Sequence, residues 1–262
     1  MRKYIKIAKS QMQVASTYSA WYWAGSASTV MQLLIMYFFW HAVYENRTSI
    51  NSISLSSMLT YVVIAMLLSR FVSGVGNLLS ENISNGNVAI ELLRPYDLIF
   101  KMIAIDAGEK VTVIIREALP MIIVAVIFLQ ITMPVSFLSG ILFTVSAVLG
   151  ICIGTLFDFI VGVLAFWTIN IWGLRVLKEA MVTFFSGALI PIILFPDWLK
   201  ALSQYLPFQA MVYTPVSIYT GILTGTDMYV AIAMQIVWVA VLYIAVRLIW
   251  LVAMKKITIF GG

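Results

Sequence analysis

Long apolar runs separated by brief polar breaks limit this chain to very few folds. Of its 262 residues, 62% are hydrophobic and only 10% are charged, with a mean hydropathy of +1.01. A soluble domain of this size carries roughly 25% charged residues, so the runs belong in a lipid bilayer. At about 20 residues per crossing, the length accommodates roughly five to seven transmembrane helices. That leaves no stretch for a soluble nucleotide-binding or catalytic domain. The expected fold is an all-α integral membrane protein forming one membrane domain over residues 1–262.

The net charge of +5 and pI near 9.3 do not indicate nucleic acid, because the basic residues flank the apolar runs in short clusters. Cys152 is the only cysteine and His41 the only histidine, which excludes an intrachain disulfide and metal sites built on several Cys or His. No Gly-x-x-x-x-Gly-Lys-[Ser/Thr] occurs, so the sequence offers no phosphate cradle. The N-terminus is basic (Arg2, Lys3, Lys6, Lys9) but runs into Ser10-Gln11-Met12-Gln13 instead of an apolar core, so no cleaved signal peptide is expected. Tyr4, Ile7, Ala8, Met12 and Ala15 recur at helical spacing, followed by Trp21, Tyr22 and Trp23. Residues 1–23 therefore read as an amphipathic helix on the membrane surface, anchored by interfacial aromatics.

Six spans follow: about Ala24–Tyr44, Ser56–Leu79, a third reaching Met133, Phe137–Trp167, a fifth reaching Phe195, and Tyr229–Met254. Glu45-Asn46-Arg47-Thr48 with Asn51-Ser52 forms a polar loop after the first, and Leu98–Ala107 reads as a second interfacial helix before the third. With the N-terminus inside, eleven Lys and Arg residues flank the spans on the cytoplasmic side, Lys110, Arg175 and Lys178 among them, against Arg47 and Lys200 outside. The positive-inside rule then puts both termini in the cytoplasm. No internal repeat of the kind found in many secondary transporters is present.

Two segments differ in kind from the spans. Between the second and third, residues 80–97 include Asn85-Gly86-Asn87-Val88-Ala89-Ile90-Glu91-Leu92-Leu93-Arg94-Pro95-Tyr96-Asp97. This reads as a short helix opened by Gly86 and stopped by Arg94-Pro95, since proline disfavours helix in the residue before it. Glu91 and Arg94, three apart, share a face and can pair with each other or with a partner. Residues 196–225 are punctuated by Pro196, Pro207, Pro215, Gly221 and Gly225. No single helix crosses the core with that punctuation; two short helices that enter and return fit, provided protein covers their backbone.

Three places resemble the permeases of ABC type-2 exporters: Gly86 through Pro95 between spans two and three; Asn170-Ile171-Trp172-Gly173-Leu174-Arg175 followed by Ser186-Gly187-Ala188-Leu189-Ile190-Pro191; and Phe195-Pro196-Asp197-Trp198-Leu199 with Tyr205-Leu206-Pro207-Phe208. The terminal Gly261-Gly262 is similar to a multidrug-type subgroup. The resemblance implies an exporter subunit in the cytoplasmic membrane that carries amphiphilic cargo. It implies no cofactor on this chain, with ATP and Mg held by two copies of a separate ATPase, and a second permease subunit, identical or paralogous. It makes Gly86, Glu91, Leu92, Leu93, Arg94 and Pro95 the coupling segment, with Leu92 or Leu93 as apolar anchor, and Trp198, Tyr205, Pro207 and Phe208 a re-entrant gate.

Asp158 lies between Phe157 and Phe159 in the long fourth span. A carboxylate there needs water, protein or a basic partner, and Arg70 and Arg116 are the candidates, which makes the three a possible charged cargo path. The same residues support an alternative, an ion-coupled secondary transporter that uses them as coupling groups. Gly150-x-x-x-Gly154, with Ser146 and Gly162, forms a small-residue face for close helix packing.

Overall fold

The protein is described by a computed structural model covering residues 2–17, 19–51, 53–129, 131–168 and 171–256. Twelve α-helices occur among these residues: α1 (Arg2–Thr17), α2 (Ser19–Tyr44), α3 (Leu55–Val72), α4 (Gly76–Ser84), α5 (Asn87–Leu92), α6 (Leu98–Val113), α7 (Leu119–Leu129), α8 (Phe137–Val163), α9 (Trp172–Phe185), α10 (Asp197–Gln204), α11 (Tyr213–Thr220) and α12 (Thr226–Met254). The expected all-α class holds. The strands are confined to a two-residue hairpin, β1 (Ser49–Ile50) and β2 (Ile53–Ser54), which turns through Asn51 at a left-handed φ of 47°. This hairpin occupies the loop read as polar.

The chain passes six times between two ends of the molecule. At one end Lys3, Pro95, Tyr4, Asp97 and Arg247 are linked, and Lys256 lies over Trp167. At the other, Tyr44 bonds Ile53, Thr60 bonds Thr132, Asn51 bonds Ile193 and Tyr219 bonds Thr132. Five of the passes are long and apolar enough to cross a membrane: Ala27–Tyr44, Leu55–Ser84, Leu98–Leu129, Phe137–Phe166 and Thr226–Met254. The sixth, α9, is shorter than expected. It ends at Phe185, and irregular backbone takes over through Gly187, which adopts a left-handed φ of 76°, to Pro191. Protein supplies the partners this backbone needs away from water: the Tyr61 hydroxyl donates to Gly187 O (2.8 Å) and Tyr213 N to Ser186 O (2.9 Å).

Two further expectations are corrected. Residues 98–107 are not a separate interfacial helix but the opening turns of one continuous helix running through α6, a π-helical turn at Ile114–Ala118, and α7. The π turn stands where a regular helix would drive the Pro120 ring into the carbonyl of residue 116, so widening here lets the helix pass its proline. The second span is broken. Between α3 and α4, residues 73–75 leave the helix, and Ser73-Gly74-Val75-Gly76 is the polar and glycine interruption responsible.

Helix α8 is the axis of the molecule and packs against α3, α4, α11 and α12. Its glycine face works as read from sequence. A Cβ on Gly150 would strike Met211 O, one on Gly154 Val72 O, and one on Gly162 the backbone of Gly76. Helix α1 lies along α6 closely enough that a Cβ on Gly108 would meet the Ala8 backbone. The side chains of Trp21, Tyr22 and Trp23, the residue Asn170 and the terminal Gly261-Gly262 lie outside the described residues.

Candidate functional site

Gly86 opens α5 in a left-handed conformation (φ 73°), which reverses the chain after α4. The helix lasts six residues and stops before Pro95, as its sequence requires. Glu91 is the hub of the segment. Its carboxylate accepts from the Tyr96 hydroxyl (2.6 Å) and from Lys101, and it pairs with Arg94 at 3.4 Å. Arg94 in turn donates to the Tyr96 hydroxyl (3.1 Å), and Lys101 sits over the Tyr96 ring. Burial pushes the Glu91 carboxyl up, but hydrogen bonds from Lys101 and Tyr96 and the charges of Lys101 and Arg94 outweigh it, so its pKa is lowered. Glu91 thus braces its own segment. Helix α1 ties the segment down from outside: Lys3 donates to Pro95 O (2.8 Å), and the Tyr4 hydroxyl accepts from Asp97 N (3.3 Å).

The two leucines part company. Leu92 packs against the buried cluster around Leu79, Ile99 and Met102, while Leu93 is 87% exposed and Ile90 58%. On this braced segment the free apolar side chains are therefore Ile90 and Leu93, and Leu92 belongs to the core.

Asp158 pairs with neither Arg70 nor Arg116. It is only 3% exposed, and its partner is Lys178 of α9, also buried. Its second oxygen accepts from Gly74 N (3.0 Å) and Gly76 N (2.8 Å), the amides that the break between α3 and α4 strips of helical acceptors. A carboxylate at the N-terminus of α4 also meets the positive end of that helix. Arg70 points elsewhere, donating to Thr29 Oγ1 (2.9 Å) and Gln32 Oε1 (3.1 Å) with Glu117 at 3.9 Å. Arg116 and Glu117 both stand in the π turn. A third ionic group joins α6 to α8: Lys110 bonds Asp106 and Thr155 (2.6 Å), and Thr155 donates to Asp106 (2.9 Å). Lys110 and Lys178, counted from the sequence as cytoplasmic flanks, are thus interior partners, leaving the sign of the charge asymmetry unchanged.

These groups line a cleft made of three adjoining cavities that share Ser69. One, about 140 Å³, is bounded by Val72, Phe157, Asp158, Lys178, Glu179 and Met211; a second, about 420 Å³, by Gln32, Met36, Met66, Arg70 and Leu189; the third, about 300 Å³, by Arg70, Asp106, Glu109, Lys110 and Glu117.

Residues 30–261 match the family described as ABC-2 family transporter protein. The chain belongs to the ABC-2 transporter family. That family provides the membrane component of ABC transporters, and membership implies an ABC ATPase as partner. A search of curated proteins gave no match.

In this ABC-2 protein the region before the last span holds two short helices, α10 and α11, joined by a turn through Phe208. Phe208 (3% exposed) packs edge-on to Phe157 with ring centroids 5.1 Å apart and stacks near Phe185; Pro207 is buried beside it. Gln235 of α12 donates from one amide nitrogen to Ala210 O (2.7 Å) and Ser146 O (3.0 Å), which covers the turn's backbone. Trp198 and Tyr205 do not join this packing; they stand 69% and 80% exposed. Of the four residues expected to form a re-entrant gate, only Pro207 and Phe208 are tucked into the bundle, because α10 turns its outer face away from it. Sequence reasoning missed Lys178, Lys101, Tyr96, Ile90 and the Asp106–Lys110–Thr155 group. The clearest available signal was Gly74-x-Gly76 inside an apolar run, where a broken helix needs an acceptor.

Proposed function

We propose that this ABC-2 protein is the transmembrane half of an ATP-driven exporter in the cytoplasmic membrane, with both termini in the cytoplasm. Two ATPase subunits and a second permease, identical or paralogous, complete the transporter, and the cargo is amphiphilic. The observation that carries this reading is the pair Ile90 and Leu93, apolar and exposed on a segment held rigid by the Glu91 network and by α1. A solvated loop has no reason to be braced this way, whereas a subunit that transmits closure of an ATPase needs a stiff projection with an apolar tip. Seating such side chains in a partner's groove concentrates the binding energy on them, while a rim charge contributes less. The ion-coupled alternative gains nothing from Asp158, whose two oxygens are both engaged by Lys178 and backbone amides.

The test is co-purification with the ATPase. An Ile90→Asp, Leu93→Asp double variant should lose the partner while the membrane domain stays folded. Leu92→Asp should instead destabilise the domain itself, since Leu92 packs inward. Retention of the ATPase at wild-type levels by the double variant would sink the coupling assignment.

A further inference from the structure

We infer that the corner where α1, α6 and α12 meet binds an anionic phospholipid of the cytoplasmic leaflet, and that the bound lipid steadies residues 86–97. The site lies outside the function proposed above and rests on it only for the leaflet and for what a steadier segment does to transport. Arg247 is the only charged residue of α12 beyond its first turn. A charge in an apolar span needs a partner, water or a headgroup, which makes it a candidate for a binding role. It stands about two turns from the Met254 end, beside the exposed Tyr243, Ile244 and Leu248 of the same helix. Its guanidinium lies over the rings of Phe100 (5.8 Å) and Tyr243 (5.4 Å), and Nε donates to the Tyr243 hydroxyl (3.1 Å). Among the described residues its one carboxylate is Asp97, at 3.5 Å.

That carboxylate is already divided. Its other oxygen caps α6, accepting from Ile99 N (2.8 Å) and Phe100 N (3.2 Å). Against it stand Arg247 and, on α1, Lys3, Lys6 and Lys9. The three lysines are exposed, α1 holds no acidic residue, and no carboxylate pairs with them among the described residues. Lys3 donates to Pro95 O (2.8 Å) and Arg247 to Tyr243 and Asp97, which leaves both cations with N–H donors to spare. Spare donors and surplus positive charge suit a phosphate, which a guanidinium holds in a fork. Exposed Phe100 and Ile103 of α6, with Ile244 and Leu248 of α12, offer acyl chains an apolar bed that a soluble anion or an acidic protein would leave bare. Lys3 and Arg247 are also the side chains that reach Pro95 and Asp97, so a headgroup held between them fixes the end of the segment braced by Glu91.

Binding is measured by native mass spectrometry on the detergent-purified full chain, with phosphatidylglycerol and phosphatidylcholine of matched acyl chains at equal concentration. Phosphatidylglycerol should be retained in preference. Lys3→Gln with Arg247→Gln should cut its affinity roughly tenfold and leave phosphatidylcholine as before. Lys6→Gln with Lys9→Gln, which breaks no hydrogen bond among the described residues, should lower the preference by less. Excess glycerol phosphate should not displace the lipid, since it lacks the chains. Amide exchange at residues 86–97 should slow when phosphatidylglycerol is added and stay unchanged with phosphatidylcholine. Equal retention of the two lipids by the unaltered chain would overturn the proposal without recourse to any variant, and is the result expected if these cations serve an acidic protein instead. Displacement by glycerol phosphate, or unchanged exchange with phosphatidylglycerol bound, would overturn it as well. No ATPase enters these measurements, so failure here and failure of the Ile90/Leu93 co-purification test are read independently.

Discussion

Asp158 shows how far a single residue's role depends on what the fold brings to it. Its burial and its need for a partner follow from the sequence, since a lone carboxylate amid phenylalanines cannot stand bare. Its partners did not follow. Lys178 is twenty positions away, beside Glu179 at what reads as a span's exit, and nothing in its neighbours marks it as an interior residue. The backbone amides of Gly74 and Gly76 become available only because α3 breaks. The pair makes a sharp prediction. Asp158→Asn keeps one acceptor for the amides but leaves the Lys178 charge buried alone, and orphaning one member of a buried pair typically costs about 3–5 kcal/mol. Adding Lys178→Met removes the orphan. Thermal unfolding of purified protein should therefore show Asp158→Asn less stable than the Asp158→Asn, Lys178→Met double variant. The reverse order would mean that Lys178 stabilises the fold without the Asp158 charge, so that the ion pair is not what its burial depends on.

Among the elements, α8 and α5 were legible to different degrees. The glycine face of α8 was visible from spacing alone, because small residues three and four apart always share a helix side. Which element would fill the groove was not visible, since the break in span two and the turn at Ala210–Met211 are tertiary choices. Gly154→Ala puts a methyl into the Val72 carbonyl, a backbone atom that cannot swing aside, so it should cost about 1–3 kcal/mol in detergent-solubilised protein. Gly173→Ala, on α9 with open space around it, is the control and should be neutral. For α5, the helix and its stop at Pro95 were readable, but Lys101 and Tyr96 approach Glu91 only once α6 folds back. Because the Glu91 pKa is lowered on folding, its bracing is fully present above the ordinary carboxylate value of 4.5 and is lost as pH falls through the lower, folded value. Amide protection of residues 86–97, corrected for intrinsic exchange, should stay level from neutral pH to about 4.5 and fall below it. In Glu91→Gln it should be reduced throughout. Protection that drops already near neutral pH would take the brace away from Glu91.

At the scale of the whole molecule, apolar runs and their order carried most of the architecture, because a bilayer leaves backbone few ways to be satisfied. What sequence overstated was uniformity: span five is short, span two is broken, and span three passes a π turn. The end of the short fifth span and the break in the second lie where another element supplies the missing hydrogen bonds, which no local window reveals, whereas the π turn answers to Pro120 in its own helix. The alternation of passes puts Ser84 and Lys256 at one end and Asn46 and Lys200 at the other, and the excess of Lys and Arg at the first end sets its expected orientation toward the cytoplasm. Cys152 is exposed and must first be replaced by Ser. Single cysteines at Asn46 and Lys200 should then react with a membrane-impermeant maleimide applied to intact cells, and cysteines at Ser84 and Lys256 only after the membrane is opened. The four sites work as a set. Labelling of Ser84 together with Lys256 from outside, with Asn46 and Lys200 silent, would keep the six passes but invert the protein and remove α5 from the reach of a cytoplasmic ATPase. Labelling of Ser84 and Asn46 together would instead deny that α3 and α4 form one crossing, which is the connection that any push on α5 must use to reach the cleft.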